Sequence, residues 1–207
     1  MMQVAVIFFG LPAAGKTTHA RLLAEAIGGV HIEPSALIQE VFSSDRATDA
    51  LDDGTQIDLR IERRRFEAGE LNDSRWINAL VRRAVLNAAA QGRSAIFSGG
   101  MRKRVEAEAL MPLLQELFGK ERCVVVFLEV PEEVAVARLE QRGRALDANS
   151  ALRFQRFYQE TMPAATFLSD HWGVPIIRLA STRPVEYVEC IIRERLKKHF
   201  GGELCIS

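Results

Sequence analysis

Gly10-Leu11-Pro12-Ala13-Ala14-Gly15-Lys16-Thr17 carries the first chemistry legible in the chain. Two glycines five positions apart, followed at once by lysine and threonine, make a complete phosphate-binding loop. The glycines let backbone N–H groups curl around phosphate oxygens. Lys16 can then reach the β- and γ-phosphates as a point charge, and the Thr17 hydroxyl can ligate Mg²⁺. The flanks fit this reading. An apolar run occupies residues 4–9, and Ala20, Leu22, Leu23, Ala24, Ala26 and Ile27 form a largely apolar helix that Gly28 and Gly29 end. Strand, loop and helix arrive in the required order, and the helix aims its N-terminal partial positive charge at the phosphates.

A triphosphate held by such a loop can be transferred only if positive charge surrounds the oxygens whose charge shifts in the transition state. Arginine suits this better than lysine, because its planar fork binds two oxygens and stays charged. Four places supply it: Arg102-Lys103-Arg104; Arg138 with Arg142; Arg144; and Arg153 with Arg156. Arg138 and Arg142, at i and i+4, share one helix face. Taken singly, each reads as a solvated surface arginine; their placement beyond strand ends is what marks them. Arg63, Arg64, Arg65, Arg82 and Arg83 lack that placement and read as solvated or loosely paired.

The elements that must position these groups follow from patterning. Apolar, β-branched runs at 4–9, 95–97, 124–128 and 174–179, and a weaker one at 30–32, read as strands. Between them lie helices. Asp73 or Ser74 caps one whose face carries Ile77, Leu80, Val81, Ala84, Val85 and Ala88 before Gly92. A second follows Arg104 and stops at Gly119. A third starts at Pro131 with Glu132 and Glu133 in its first turn and stops at Gly143. A last one runs from Pro184 towards His199. The alternation predicts an α/β fold, a parallel sheet with helices on both faces, whose ligands collect at the strands' carboxyl ends. Residues 43–55, rich in Ser, Asp, Thr and Gly, read as a polar loop or insert. Phe154, Phe157, Tyr158, Phe167 and Trp172 read as a core stripe, with base stacking by an exposed ring as the other use of such residues.

With 207 residues, 48% of them hydrophobic, the chain can bury one sizeable core, and a single domain is expected. The formal net charge of zero argues against nucleic acid or an anionic membrane as the main partner. Cys123, Cys190 and Cys205 have neither a disulfide framework nor zinc spacing, which fits a reducing cytoplasm. The apolar run at the N-terminus is too short to span a bilayer or to form a leader. A cytoplasmic monomer acting on small-molecule nucleotides is the expectation.

The chain resembles the adenylate kinase family of nucleoside monophosphate kinases over most of its length. The phosphate loop with the following Thr18-His19-Ala20 resembles the family's opening motif, and Gly69-Glu70-Leu71-Asn72-Asp73 its G-E-L-x-x-D segment. Ser98-Gly99-Gly100-Met101-Arg102 lies where the family has D-G-x-P-R. Residues 130–142, Val-Pro-Glu-Glu through Arg138 to Arg142, resemble its V-P-x-E helix with paired arginines. Arg144-Ala145-Leu146-Asp147 resembles the R-x-D-D of the lid, and Arg153 stands ten residues before Pro163, as a family arginine stands before a proline.

The resemblance implies a P-loop NTPase fold with a five-stranded parallel sheet, a core of residues 1–33, 92–142 and 160–207, a monophosphate-binding region at about 34–91 and a short lid at about 143–152. It implies ATP with Mg²⁺, bound by Gly10, Ala13, Ala14, Gly15, Lys16, Thr17, Thr18, Arg138 and Arg144, with Thr17 on the metal and Lys16, Arg102, Arg142 and Arg153 as the catalytic set. Arg102 would hold the acceptor's α-phosphate, Arg138 would lie along the ATP base and Arg142 against the transferring phosphates. Arg144 and Arg153 would reach phosphates from the lid side, with Asp147 as an ion-pair partner and Arg156 as the alternative to Arg153 if that helix shifts by a turn.

Four departures bear on specificity. Pro34-Ser35-Ala36-Leu37-Ile38-Gln39 stands where the family has T-G-x-x-x-R. Ser98 replaces the aspartate that helps position Mg²⁺, and Met101 replaces a proline. Glu106, near a family glutamine, is placed to pair with Arg102 or Arg104. Glu33 and Glu129, near strand ends, are candidates for the missing carboxylate, although Glu33 reads more simply as a helix cap and Glu129 as an ordinary strand-end residue. His19, where the family has glutamine, reads as a surface or packing residue. The departures leave two other readings open, a P-loop kinase for another small metabolite and a catalytically decayed nucleotide-binding regulatory protein.

Overall fold

The computed structural model describes residues 2–142, 150–202 and 204. In chain order its strands are β1 (Ala5–Gly10), β2 (Val30–Ile32), β3 (Thr48–Ala50), β4 (Gln56–Asp58), β5 (Ala95–Phe97), β6 (Cys123–Glu129) and β7 (Ile176–Ala180). Five of them make one parallel sheet in the order β2-β5-β1-β6-β7. This is the expected P-loop NTPase arrangement. The central β1 is buried along its whole length, as a strand covered on both faces must be. Its side chains alternate between the two faces. Val4, Val6 and Phe8 pack with α1 (Lys16–Ile27) and α9 (Val185–His199) through Ala20, Leu23, Val188, Ile192 and Leu196. Ala5, Ile7 and Phe9 share the other core with α4 (Ser74–Ala90), α5 (Arg104–Phe118) and α8 (Met162–Trp172).

All five strands end at one edge, so Gly10, Glu33, Ser98, Glu129 and Ser181, at or just past their carboxyl ends, are brought together from positions far apart in the chain. Strand order reverses on either side of β1, and a ligand crevice opens at such a reversal. The phosphate loop sits there.

Residues 43–55 depart from expectation. They hold β3 and the turn of an antiparallel hairpin with β4 rather than a polar loop. The hairpin is anchored by a buried acid: Asp49 accepts from Trp76 Nε1 at 2.8 Å and from the fork of Arg83 at 2.7 and 3.2 Å. Arg83 is therefore firmly paired rather than solvated, a correction, while Arg82 keeps only a surface contact with Asp52 at 3.1 Å. Ile38 and Val41 of α2 (Pro34–Phe42), Leu51, Ile57, Leu59 of α3 (Leu59–Glu67), Trp76 and Leu80 form a small separate core under this hairpin. Polar composition concealed the hairpin because its anchors lie on α4, many residues downstream.

Between α6 (Glu132–Arg142) and α7 (Ser150–Arg156) the expected lid residues Arg144 and Asp147 lie outside the described residues, as does the side chain of Arg142. A π-helical turn, Phe157–Thr161, joins α7 to α8. Phe154 and Phe157 are core residues, and Tyr158 is exposed with its hydroxyl on Glu132 at 3.2 Å.

Candidate active site

The loop between β1 and α1 is shaped by contacts that only glycine tolerates. At Gly10, with φ of 141°, a Cβ would run into the carbonyl oxygen of Leu128 on β6 and stand 3.2 Å from Ala14 Cβ. Gly15 takes φ of 92° and caps α1, and Ala13 adopts φ of 61° without being glycine. Lys16 folds back over the loop, its Nζ donating to the carbonyls of Gly10 at 2.9 Å and Leu11 at 2.7 Å. Thr17 and Thr18 lie in the first turn of α1, which carries no acidic residue. A cation and the positive end of a helix thus converge on one concavity, which is an anion site.

The loop is braced by residues outside it. Ser181, past β7, donates its hydroxyl to the Ala14 carbonyl at 2.9 Å. Arg138 of α6 donates to the carbonyls of Ser181 at 2.8 Å and Ala13 at 3.4 Å. The sequence reading missed Ser181; its signal was a small hydroxyl residue just past the last strand. His19 is buried behind the loop, 3.0 Å from Glu189 of α9, which also takes Arg193 at 3.0 Å. It is a packing residue.

Glu33 and Ser98 end adjacent strands. Glu33 occupies the N-cap position of α2, but its carboxylate accepts from no helix N–H. It accepts instead from the hydroxyls of Thr17 at 3.4 Å and Ser35 at 3.1 Å. The simpler expectation of a side-chain cap is thereby corrected: the Ala36 and Leu37 N–H groups bond the Glu33 backbone carbonyl, and its carboxylate turns to hydroxyls instead. Glu129 behaves as an ordinary strand-end residue, paired with Arg178 at 3.0 Å. Ser98 Oγ lies 2.8 Å from His31 Nε2. Burial pushes the His31 pKa below its ordinary 6.5, with Glu33 opposing and Arg21 adding to the fall, so the ring is neutral at pH 7.

Arg102 follows β5 on a tight turn. Met101, fully buried, takes φ of 50°, which proline's ring forbids. The turn is held by Glu106, which accepts from the Arg102 N–H at 2.8 Å, pairing with that residue's backbone rather than with Arg104, whose side chain meets Glu108. The guanidinium passes over Gly99, whose built Cβ would come within 3.2 Å of Arg102 Nη2. Solvent reaches Arg102 through the mouth of a cleft, while protein walls it on the other sides. That desolvation pushes its pKa down; Glu106 opposes the fall, the like charge of Arg153 on α7 adds to it, and Glu33 opposes it. An arginine stays charged at neutral pH regardless. Arg102 and Arg153 are therefore close enough to sense one another. The cleft beside Arg102 has a volume of ≈ 140 Å³. Pro34, Ile38, Phe66, Leu71 and Ile77 supply its apolar walls, and Ser35, Glu70, Asn72 and Ser74 its polar ones.

Residues 6–161 match the AAA domain family. An adenylate kinase of Synechococcus sp. (strain WH7803) is 34% identical over 164 residues, 78% of this chain and 82% of that protein. The chain belongs to the adenylate kinase-like family. An adenylate kinase of Hyphomonas neptunium is 29% identical over 199 residues, 93% of this chain and 98% of its own length. A third, from Synechococcus sp. (strain JA-2-3B'a(2-13)), is 32% identical over 191 residues, covering 89% of this chain and 91% of that protein.

Within this adenylate kinase-like chain, Gln39 is exposed on α2 and Pro34 lines the cleft. The described residues contain no group of three or more His, Cys, Asp or Glu side chains placed to hold a metal by themselves. Mg²⁺ does not need one, since it takes one or two protein oxygens beside substrate phosphates. The hard-oxygen pair Thr17 and Glu33 suits that requirement. No described helix is long and apolar enough to cross a membrane.

Proposed function

We propose that this adenylate kinase-like protein transfers the γ-phosphoryl group of Mg²⁺-ATP to a nucleoside monophosphate, with AMP the leading acceptor by family resemblance. The observation that carries the reading is the pairing of two anion sites. Lys16 and the α1 N-terminus form one; Arg102, at the edge of a cleft, forms the other. A guanidinium fork at a cleft's edge binds two phosphate oxygens at once, so the second site suits a phosphate. Ser35 lines the cleft and shares Glu33 with Thr17, which makes the two sites neighbours.

In this reading Lys16 and the loop's backbone donors hold the β- and γ-phosphates, Arg138 lies along the donor base, and Arg102 holds the acceptor's α-phosphate. Arg142, Arg144 and Arg153 offset charge around the transferring group. Mg²⁺, held by Thr17, neutralises and orients the donor phosphates. Transfer is positioning plus charge stabilisation, and the acceptor phosphate, already anionic, needs little base. Residues 143–152 act as a short lid that excludes water and limits ATP hydrolysis. A coupled assay over AMP, CMP, UMP, GMP, TMP and their deoxy forms is expected to show Mg²⁺-ATP-dependent diphosphate formation with at least one of them; none with any would refute the reading.

A second reading, transfer to another small metabolite, is favoured by the cleft wall, where Pro34 and Ile38 of α2 face the space and Gln39 stands in place of a family arginine. Thermal-shift screening with a nonhydrolysable ATP analogue separates the two: selective stabilisation by a nucleoside monophosphate excludes the second.

A further inference from the structure

Two positions at the carboxyl edge of the sheet bear on the metal. The end of β5 carries Ser98, whose hydroxyl lies 2.8 Å from His31 Nε2, so no carboxylate stands where the family's aspartate would be. The end of neighbouring β2 carries Glu33, a carboxylate aimed at the phosphate loop. The other nearby carboxylates are committed elsewhere. Glu129 is paired with Arg178, and Glu106 is locked to the Arg102 N–H and Ser74. The Glu33 carboxylate caps no N–H of α2. Its partners are two hydroxyls, one of them the loop's own Thr17 at 3.4 Å. A hydroxyl that lends a lone pair to a cation keeps its proton to donate, so the Thr17–Glu33 contact is compatible with metal on Thr17.

We infer that Glu33 has taken over from the β5 position as the carboxylate that supports Mg²⁺ on the bound nucleotide, with Thr17 as its companion. The inference rests on the nucleotide-kinase reading. It predicts an effect of opposite sign in two conditions. Without the cation, Glu33 places a negative charge beside the triphosphate and weakens nucleotide binding. With the cation, the same charge stabilises the complex.

The test measures affinity for a fluorescent nonhydrolysable ATP analogue in EDTA and in saturating Mg²⁺; the ratio of the two dissociation constants is the metal–nucleotide coupling. Glu33→Gln is expected to tighten binding in EDTA and to lower the coupling by roughly 10–100-fold, the usual cost of removing a group that supports a metal ligand. Glu129→Gln is expected to leave the coupling unchanged; an equal fall there would overturn the assignment to Glu33. Unchanged coupling in Glu33→Gln, with turnover reduced instead, would overturn it as well and place Glu33 on the acceptor. If Glu33→Gln does not fold, Glu33→Asp, which withdraws the carboxylate by one methylene, is read on the same coupling, where a fall supports the inference and no change overturns it. A wild-type protein whose nucleotide affinity ignores Mg²⁺ would overturn the inference alone; failure of the nucleotide-kinase reading shows separately, as no diphosphate formation across the acceptor panel.

Discussion

The phosphate loop and the cleft beside Arg102, the two proposed anion sites, are assembled differently. From Gly10 to Thr17 the site is made by neighbours in sequence: two positive-φ glycines, a lysine bonded to carbonyls five and six residues before it, and the first turn of the helix that follows. The cleft draws on α2, the segment 66–77, the turn 99–103 and the start of α5. Its walls stay in place through side-chain pairs across long separations, among them Asp49 with Arg83 and Trp76, and Glu62 with Asn72 and the Asp73 N–H. A locally encoded site tolerates little change in sequence. A site built from distant pairs can change its lining while the frame persists, and Pro34, which lines the cleft, is a change of that kind.

The largest effect should come from the loop. Lys16→Ala is expected to slow phosphoryl transfer on the order of 10²–10³-fold, about 2.7–4 kcal/mol of transition-state stabilisation, with little movement of the melting temperature. A coupled assay beside a melting curve checks this, and loss of the fold would mean that the loop is not separable from the core.

Met101→Pro would install the residue found in the family pattern, yet at φ of 50° it is expected to destabilise the protein by about 3 kcal/mol or more. Chemical denaturation measures it, and a neutral outcome would show that the turn carrying Arg102 can rebuild itself.

Asp49→Asn should cost about 1–3 kcal/mol at neutral pH by weakening the bonds to Arg83 and Trp76, while leaving ATP-analogue affinity unchanged. Burial opposes ionisation of Asp49, but hydrogen bonds from Arg83 and Trp76 win and hold its pKa below the ordinary 3.8. A carboxylate with a depressed folded pKa stabilises fully above its unfolded pKa and loses that contribution as pH falls through the folded value. The gap between wild type and variant should thus be flat from about pH 7 to 5 and shrink below about pH 4. A gap that widens in acid would reverse the assignment.

The smallest expected effect is at Gly99. The added methyl of Gly99→Ala meets a flexible side chain, Arg102 Nη2 at 3.2 Å, so the acceptor KM should rise roughly tenfold, about 1.4 kcal/mol. Nucleotide affinity at the loop should not change; equal losses on both sides would erase the distinction between the two sites.

Much of the fold was legible because it is written in local periodicity. The five sheet strands, the caps at Asp73 and Gly28, and the helices after Arg104 and Pro131 all appear near where patterning places them. What was not legible depends on partners distant in sequence: the β3–β4 hairpin inside a polar stretch, the firm pairing of Arg83, and the bracing of the loop by Ser181. Glu33 is the sharpest case. Its position before a helix suggested a cap, and nothing within a few residues of it could show that its carboxylate meets Thr17.

Sequence alone determined that a phosphate loop follows a buried strand and opens a helix, because the glycines, lysine and threonine that make it are adjacent and their backbone demands are local. Tertiary structure alone decided which carboxylate stands beside Thr17, which arginines approach each other, and what lines the cleft. Those depend on strand order and on the packing of α2, α5 and α7 around one sheet edge, and such distances are set by the folded core rather than by spacing along the chain.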